Sequence, residues 1–206
     1  MKTHNKMNNN PLARRFRGLL PVVVDVETAG LHANKNALLE VAAVMLRMDD
    51  EGRLCRERTV AYHVEPFQGS HLEPEALAIH GINPFDPLRL AIPETQAMYR
   101  IFTAVEEQLQ KTGCYRAVLV GHNAWFDLSF ILAAVGRSGI KHMPFHTFTT
   151  FDTASLAAVA LGESVLARAV RRARIPFDIQ QAHSAIYDAE RTAELFCSIT
   201  NRWGKI

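Results

Sequence analysis

The sequence predicts one mixed α/β domain, a sheet antiparallel in its first three strands and parallel thereafter, flanked by helices. Three observations predict it. Residues 20–27 (LPVVVDVE) form a β-branched run of strand length. Two more apolar runs, 37–48 and 57–64, are separated by little more than the turn cluster Asp49-Asp50-Glu51-Gly52 and read as a hairpin. From there on, helical-period segments alternate with strand-length ones, which calls for parallel crossovers.

Each element follows in order. After Pro74 a short helix over 75–79 stops at Gly81, and a Pro-rich loop occupies 83–87. Helical periodicity over 92–110 ends at Gly113. Residues 117–121 (AVLVG) are a buried strand, and 127–135 a helix closed by Gly136. A fifth strand over 147–152 precedes helical stretches at 153–161 and 164–173. The closing helix, 185–202, carries Ile186, Ala189, Ala193, Phe196, Cys197 and Thr200 at near-helical spacing.

The 206 residues suit one domain, and 48% hydrophobic with 21% charged residues excludes disordered and fibrous classes. No eighteen apolar residues run together, so no membrane span is expected. The first twenty residues are too polar for a signal peptide. Cys55, Cys114 and Cys197 form no CxxC pair or disulfide framework, which points to a reducing compartment and a cytoplasmic location. Net charge is only +2, but its distribution is uneven: Lys2, Lys6, Arg14, Arg15 and Arg17 precede residue 20 without an acid. Residues 1–18 therefore read as a basic arm ahead of a domain over 19–206. Arg168, Arg171, Arg172 and Arg174 form a second basic stretch. Such stretches neutralise phosphates or are merely solvated faces.

Three acidic constellations carry chemistry. Asp25 and Glu27 end an apolar strand and, two apart, share one face. They would repel unless a cation lies between them; alternatively they mark a solvent-facing edge. Asp127, in Gly121-His-Asn-Ala-Trp-Phe-Asp127, follows the strand 117–121 and enters the next helix. There it either contributes to a site or complements the positive helix end. His183 and Asp188, in His183-Ser-Ala-Ile-Tyr-Asp188, lie at and just inside the start of the last helix. His183 there reads as a base or as a neighbour of the cap.

In that order, strand D-x-E, strand-end N-x-x-F-D and H-x-x-x-x-D, the sequence resembles the DEDDh 3′→5′ exonucleases. Asp25, Glu27, Asp127 and Asp188 match the four acids and His183 the histidine. Six further segments narrow the resemblance to the ribonuclease T branch of that family: Arg15-Phe-Arg-Gly18, Asp25-Val-Glu-Thr-Ala-Gly30, Val64-Glu-Pro-Phe67, Pro74-Glu-Ala-Leu-Ala78, Thr150-Phe-Asp-Thr153 and Gln181-Ala-His-Ser-Ala185. The likeness runs from about residue 14 to Trp203.

The resemblance implies a ribonuclease H-like fold and two-metal phosphodiester hydrolysis. Two Mg²⁺ (or Mn²⁺) would be held by hard carboxylate oxygens, with Asp25 bridging, Glu27 and Asp188 on the water-activating ion, and Asp127 serving the second. His183 would be the general base. It implies trimming of single-stranded 3′ ends of stable RNAs, tRNA ends included, with activity on single-stranded DNA. It implies terminal bases held by Phe126, Phe148 and Glu75. Leu31 and Ile79 stand where the familiar pattern has phenylalanines, which predicts cleavage with altered base discrimination. It also implies a homodimer in which Arg15, Arg17, Arg116 and Lys141 feed RNA to the partner's site. A proofreading subunit or an oligoribonuclease with the same acids is the alternative enzyme, and an RNA-binding domain that kept the fold is the non-enzymatic one.

Overall fold

The computed structural model describes residues 10–203. Five strands, β1 (Leu19–Thr28), β2 (Leu38–Met48), β3 (Leu54–His63), β4 (Arg116–Gly121) and β5 (Phe145–Asp152), form one sheet in the order β3-β2-β1-β4-β5. β1–β2 and β2–β3 pair antiparallel, and β1–β4 and β4–β5 pair parallel, as the sequence predicts. Among the described residues seven α-helices accompany them: α1 (Pro11–Arg15), α2 (Pro74–His80), α3 (Glu94–Thr112), α4 (Trp125–Ser138), α5 (Thr153–Leu161), α6 (Leu166–Arg172) and α7 (Ala185–Trp203).

Val22, Val23 and Val24 are all fully buried, so both faces of β1, the central strand of the sheet, are covered. Helix α7 lies across β1, β2 and β3, while α3 packs on β2, β3 and α4. Pro21 is tolerated in this central strand because β1 starts pairing with β2 only at Val22, so the missing N–H interrupts no β1–β2 rung. A smaller apolar cluster joins Ala157, Ala169 and Val170 of α5 and α6 to Leu195 and Ile199 of α7. Among the described residues no single helix is long and apolar enough to cross a membrane.

Several boundaries differ from expectation. Of the basic arm expected over 1–18, residues 1–9 lie outside the described residues, and residues 10–18 are not an arm. Asn10 caps α1 by accepting the Leu12 N–H, and Leu12 and Ala13 are buried in the main core. Arg15 donates to the Thr200 carbonyl at 2.5 Å, tying α1 to the end of α7. Two apolar side chains that fill the core edge outweigh the basic composition around them. Helix α4 runs through Gly136 and ends at Gly139, whose φ of 64° makes the left-handed cap; a helical glycine costs only about 1 kcal/mol. β3 begins at Leu54 because Asp49 closes a tight turn, accepting the N–H groups of Glu51 and Arg53.

Candidate active site

The site lies where β1 and β4 end and α4 and α7 begin. Asp25 and Glu27 are half-buried on one face of β1. Asp127 is in the first turn of α4, buried, and its Oδ1 accepts the Val26 N–H at 3.1 Å, which locks α4 to β1. The β4–α4 turn makes this approach feasible. Asn123 takes a left-handed φ of 68°, which asparagine tolerates well. Its N–H and that of Ala124 donate to Asp152, the N-cap of α5.

Gly121 is needed for a different reason. A Cβ there would lie 2.9 Å from Asp127 Oδ2 and 3.0 Å from the Ala124 backbone. Gly121→Ala is therefore expected to destabilise the fold by about 2 kcal/mol and to displace Asp127. Thermal denaturation checks this, and an unchanged Tm would refute the clash.

Asp188 sits in the first turn of α7, and its Oδ2 accepts the His183 N–H at 3.0 Å. His183 itself precedes α7, in a left-handed conformation with φ 64°, and is exposed. α7 begins at Ala185, as the sequence predicts, so His183 lies two residues ahead of the helix. The backward turn brings the imidazole toward the acids. Ligand atoms of Glu27, His183 and Asp188 all lie within 4.8 Å of one another.

One site carboxylate escaped the sequence reading. Glu40 pairs in register with Glu27 across β1–β2. Its Oε1 lies 2.9 Å from His63 Nδ1 and its Oε2 accepts the Ala185 N–H at 3.3 Å, steadying the start of α7. The available signal was a lone acid inside the otherwise apolar run ALLEVAAVML.

Electrostatically the cluster is frustrated. Burial, then Asp127, Glu27, Asp188 and Glu40, push Asp25 well above the ordinary carboxylate range. Burial, then Asp188, Glu40 and Asp127, raise Glu27 to about 8. Burial raises Asp127 to about 8 against the hydrogen bonds that favour its charge. Burial also raises Asp188, opposed by the His183 N–H and by the nearby His183 and His122. Nearby Asp152 goes the other way: burial would raise it, but hydrogen bonds led by Ser155 and Asn123 hold it below its usual value. Asp188 Oδ1 is buried and has no hydrogen-bond partner. An orphaned carboxylate oxygen among like charges, with mostly hard oxygen donors around it, fits a divalent cation.

Around this cluster, Leu31 is 74% exposed on the loop after β1, and Ile79 is 64% exposed on α2, one turn from exposed Glu75. Buried Asn36 holds that loop, accepting the His32 N–H and donating to Ala29 and Glu73. α2 is fastened to the end of β1 through Glu73 N–H to Ala29 O and His80 to Thr28 O. These anchors bring Leu31, Glu75 and Ile79 beside the end of the acidic strand.

Phe126 is half-buried, its ring 5.0 Å from that of Phe130. Phe148 is 90% exposed, which excludes core packing for it. Its exposure has a backbone cause. Between Ala117↔Phe145 and Leu119↔Thr150 the β4–β5 register slips, and the surplus residues bulge outward. His146 Nδ1 accepts the N–H groups of Phe148 and Thr149 and shapes the bulge.

The basic residues lie elsewhere. Arg116 opens β4 opposite Leu19, exposed Arg17 lies two residues before the start of β1, and Lys141 follows α4, all at the end of the parallel strands away from Asp25. At ~3.3 Å per residue, Leu19 and Asp25 are roughly 20 Å apart.

Residues 22–196 match a family model described as exonuclease, RNase_T. The chain is 56% identical over 197 residues to ribonuclease T of Hahella chejuensis, covering 96% of this chain and 90% of that one. It is 54% identical over 202 residues to ribonuclease T of Yersinia enterocolitica, covering 98% and 94%. Its fold is similar to that of E. coli exonuclease I in complex with a dT13 oligonucleotide, with a TM-score of 0.67 and 20% identity over 88% of this chain and 41% of that one. A zinc-bound exonuclease I complex with single-stranded DNA gives 0.66 and 17%, over 90% and 41%. The chain thus spans about two fifths of exonuclease I, and that likeness speaks for the fold.

Proposed function

Because the chain belongs to the ribonuclease T family of exonucleases, we propose that it trims single-stranded 3′ ends of stable RNAs. The reading includes tRNA end turnover and 3′ maturation of rRNA and small RNAs, with action on single-stranded DNA. The enzyme is a 3′→5′ exoribonuclease, a hydrolase of phosphodiester bonds. The products proposed are 5′-nucleoside monophosphates, and the compartment is the cytoplasm.

The observation that carries the reading is the cluster of Asp25, Glu27, Asp127 and Asp188, their carboxyls raised by burial and by one another, with His183 beside them. The family is divalent-metal dependent, and two Mg²⁺, or Mn²⁺ as another hard dication, are the complement proposed for these four acids. Bound there, the ions would supply positive charge to the attacking and leaving oxygens. His183 accepts the proton of the attacking water. Its backbone bond to Asp188 keeps the imidazole beside the acids without occupying a ring nitrogen. Asp127 is held by Val26, so its carboxylate keeps its place at the end of β1 when the substrate changes.

Terminal bases are proposed to lie between Leu31 and Ile79 and against Phe126 and Phe148, with Glu75 reading an edge. Stacking is worth about 1–3 kcal/mol per base, so the aliphatic pair weakens discrimination at the last position while preserving cleavage. Arg15, Arg17, Arg116 and Lys141 are the proposed phosphate contacts. Arg15, already donating to Thr200, has less freedom for that role than Arg17. The length of β1 between this patch and the acids supports a homodimer in which each patch serves the other chain's site.

The test uses a 5′-labelled RNA hairpin with a short single-stranded 3′ tail, incubated with Mg²⁺ or EDTA. A ladder shortening by single nucleotides and stopping near the duplex is expected, and EDTA should abolish it. An intact label with Mg²⁺ would leave a non-catalytic RNA-binding domain instead, and internal cuts would indicate an endonuclease.

A further inference from the structure

We propose that Trp125 is an additional stacking residue, holding a base on the 5′ side of those bound by Phe126; this rests on the exonuclease reading above. Trp125 opens α4, two residues before Asp127, and is 68% exposed. Its ring stands edge-on to Phe126, with centroids 5.9 Å apart and planes at 87°. Phe126 leans on the fully buried Phe130, so the pair has a fixed base. A single flat base cannot lie face to face with two rings at right angles. Whatever base stacks on Phe126 therefore leaves the indole face for a neighbouring nucleotide.

The surface leading away from Trp125 suits a continuing strand. Trp125, Ser129, Leu132 and Ala133 follow one another on one face of α4. An open groove runs along this face beside Ala33 and Asn34 of the Leu31 loop. Arg137 holds the groove's far wall, donating to the Ala33 carbonyl at 2.8 Å while paired with Glu94. Trp125 lies one helical turn ahead of Ser129, the first α4 residue that lines the groove. An exposed aromatic plane on the first turn of α4, at the head of this track and with no burial of its own to explain it, fits a nucleobase of any sequence.

The chain has two tryptophans, and Trp203 lies at the far end of α7. A protein with Asp25→Asn, to keep the oligonucleotide intact, and Trp203→Phe therefore reports Trp125 alone. Adding a single-stranded hexanucleotide with Mg²⁺ should quench its emission saturably, whereas a dinucleotide should not. In the active protein, Trp125→Ala should raise KM for the hexanucleotide about tenfold at nearly unchanged kcat, leave the dinucleotide unaffected, and be rescued by Trp125→Phe. Unquenched emission while the polarisation of a labelled hexanucleotide rises, or an unchanged KM, would overturn the proposal and leave the exonuclease reading standing. Neither binding nor cleavage in the parent protein would overturn both.

Discussion

Asp25→Asn is expected to abolish cleavage, by about a thousandfold or more, and also to make the metal-free protein more stable at neutral pH. Both effects come from one cause. Asp25 is raised by burial and then by Asp127, Glu27, Asp188 and Glu40, so its charge is unfavourable until a cation compensates it. Losing it removes several kcal/mol of charge stabilisation from the reacting oxygens. The sign of the stability effect follows from linkage. A carboxyl whose folded pKa lies above its unfolded one binds protons more tightly when folded. Its destabilisation is absent below the unfolded value and grows as pH rises toward the folded one. For Glu27 that window runs from 4.5 to about 8, and for Asp127 from 3.8 to about 8. The metal-free parent should therefore lose Tm steadily as pH rises across this range, and Mg²⁺ should restore it. Asp25→Asn should flatten the slope and blunt the Mg²⁺ response. Thermal denaturation across the window, with Mg²⁺ and with EDTA, measures all of this. A parent Tm that rises with pH in EDTA would contradict the electrostatic account.

His183→Ala should lower kcat by about 10²- to 10⁴-fold, the usual contribution of a positioned general base, with little change in stability. The side chain is exposed, and what fixes the turn is its backbone: the N–H bond to Asp188 survives the substitution. The two variants should therefore separate cleanly, Asp25→Asn altering the Mg²⁺ response of Tm and His183→Ala leaving most of it. Single-turnover rates at saturating Mg²⁺ decide the point. If His183→Ala cleaves within tenfold of the parent, the proton is taken elsewhere and His183 is better read as a ligand beside Glu27 and Asp188.

What could be read from the sequence depended on whether the cause was local. β1 and β4 were legible because buried strands need unbroken apolar runs, and Asp25 and Glu27 stood out against that background. Asp127 and Asp188 were legible through their places at helix starts. Glu40 was not, because only the β1–β2 register brings it opposite Glu27, and one acid in a strand carries no sign of its partner. Helix α1 was missed because its neighbours are basic while its contribution is the burial of Leu12 and Ala13. Gly136 misled for the opposite reason: a glycine can end a helix or merely occupy it, and packing on either side decides. The left-handed backbone of His183 has no mark in the sequence, because it goes with the bond from its N–H to Asp188 and not with helical periodicity.

The bulge in β5 has a consequence for assembly. β5 is an edge strand, and an uninterrupted edge offers a ladder of unpaired N–H and carbonyl groups on which another chain can build. Here residues 146–149 swell outward under the hold of His146, so only short stretches on either side keep regular pleating. The interruption that offers an aromatic ring to solvent thereby also guards the molecule against edge-to-edge polymerisation along β5. Any pairing of two copies across this margin is expected to rest more on side chains than on an extended sheet.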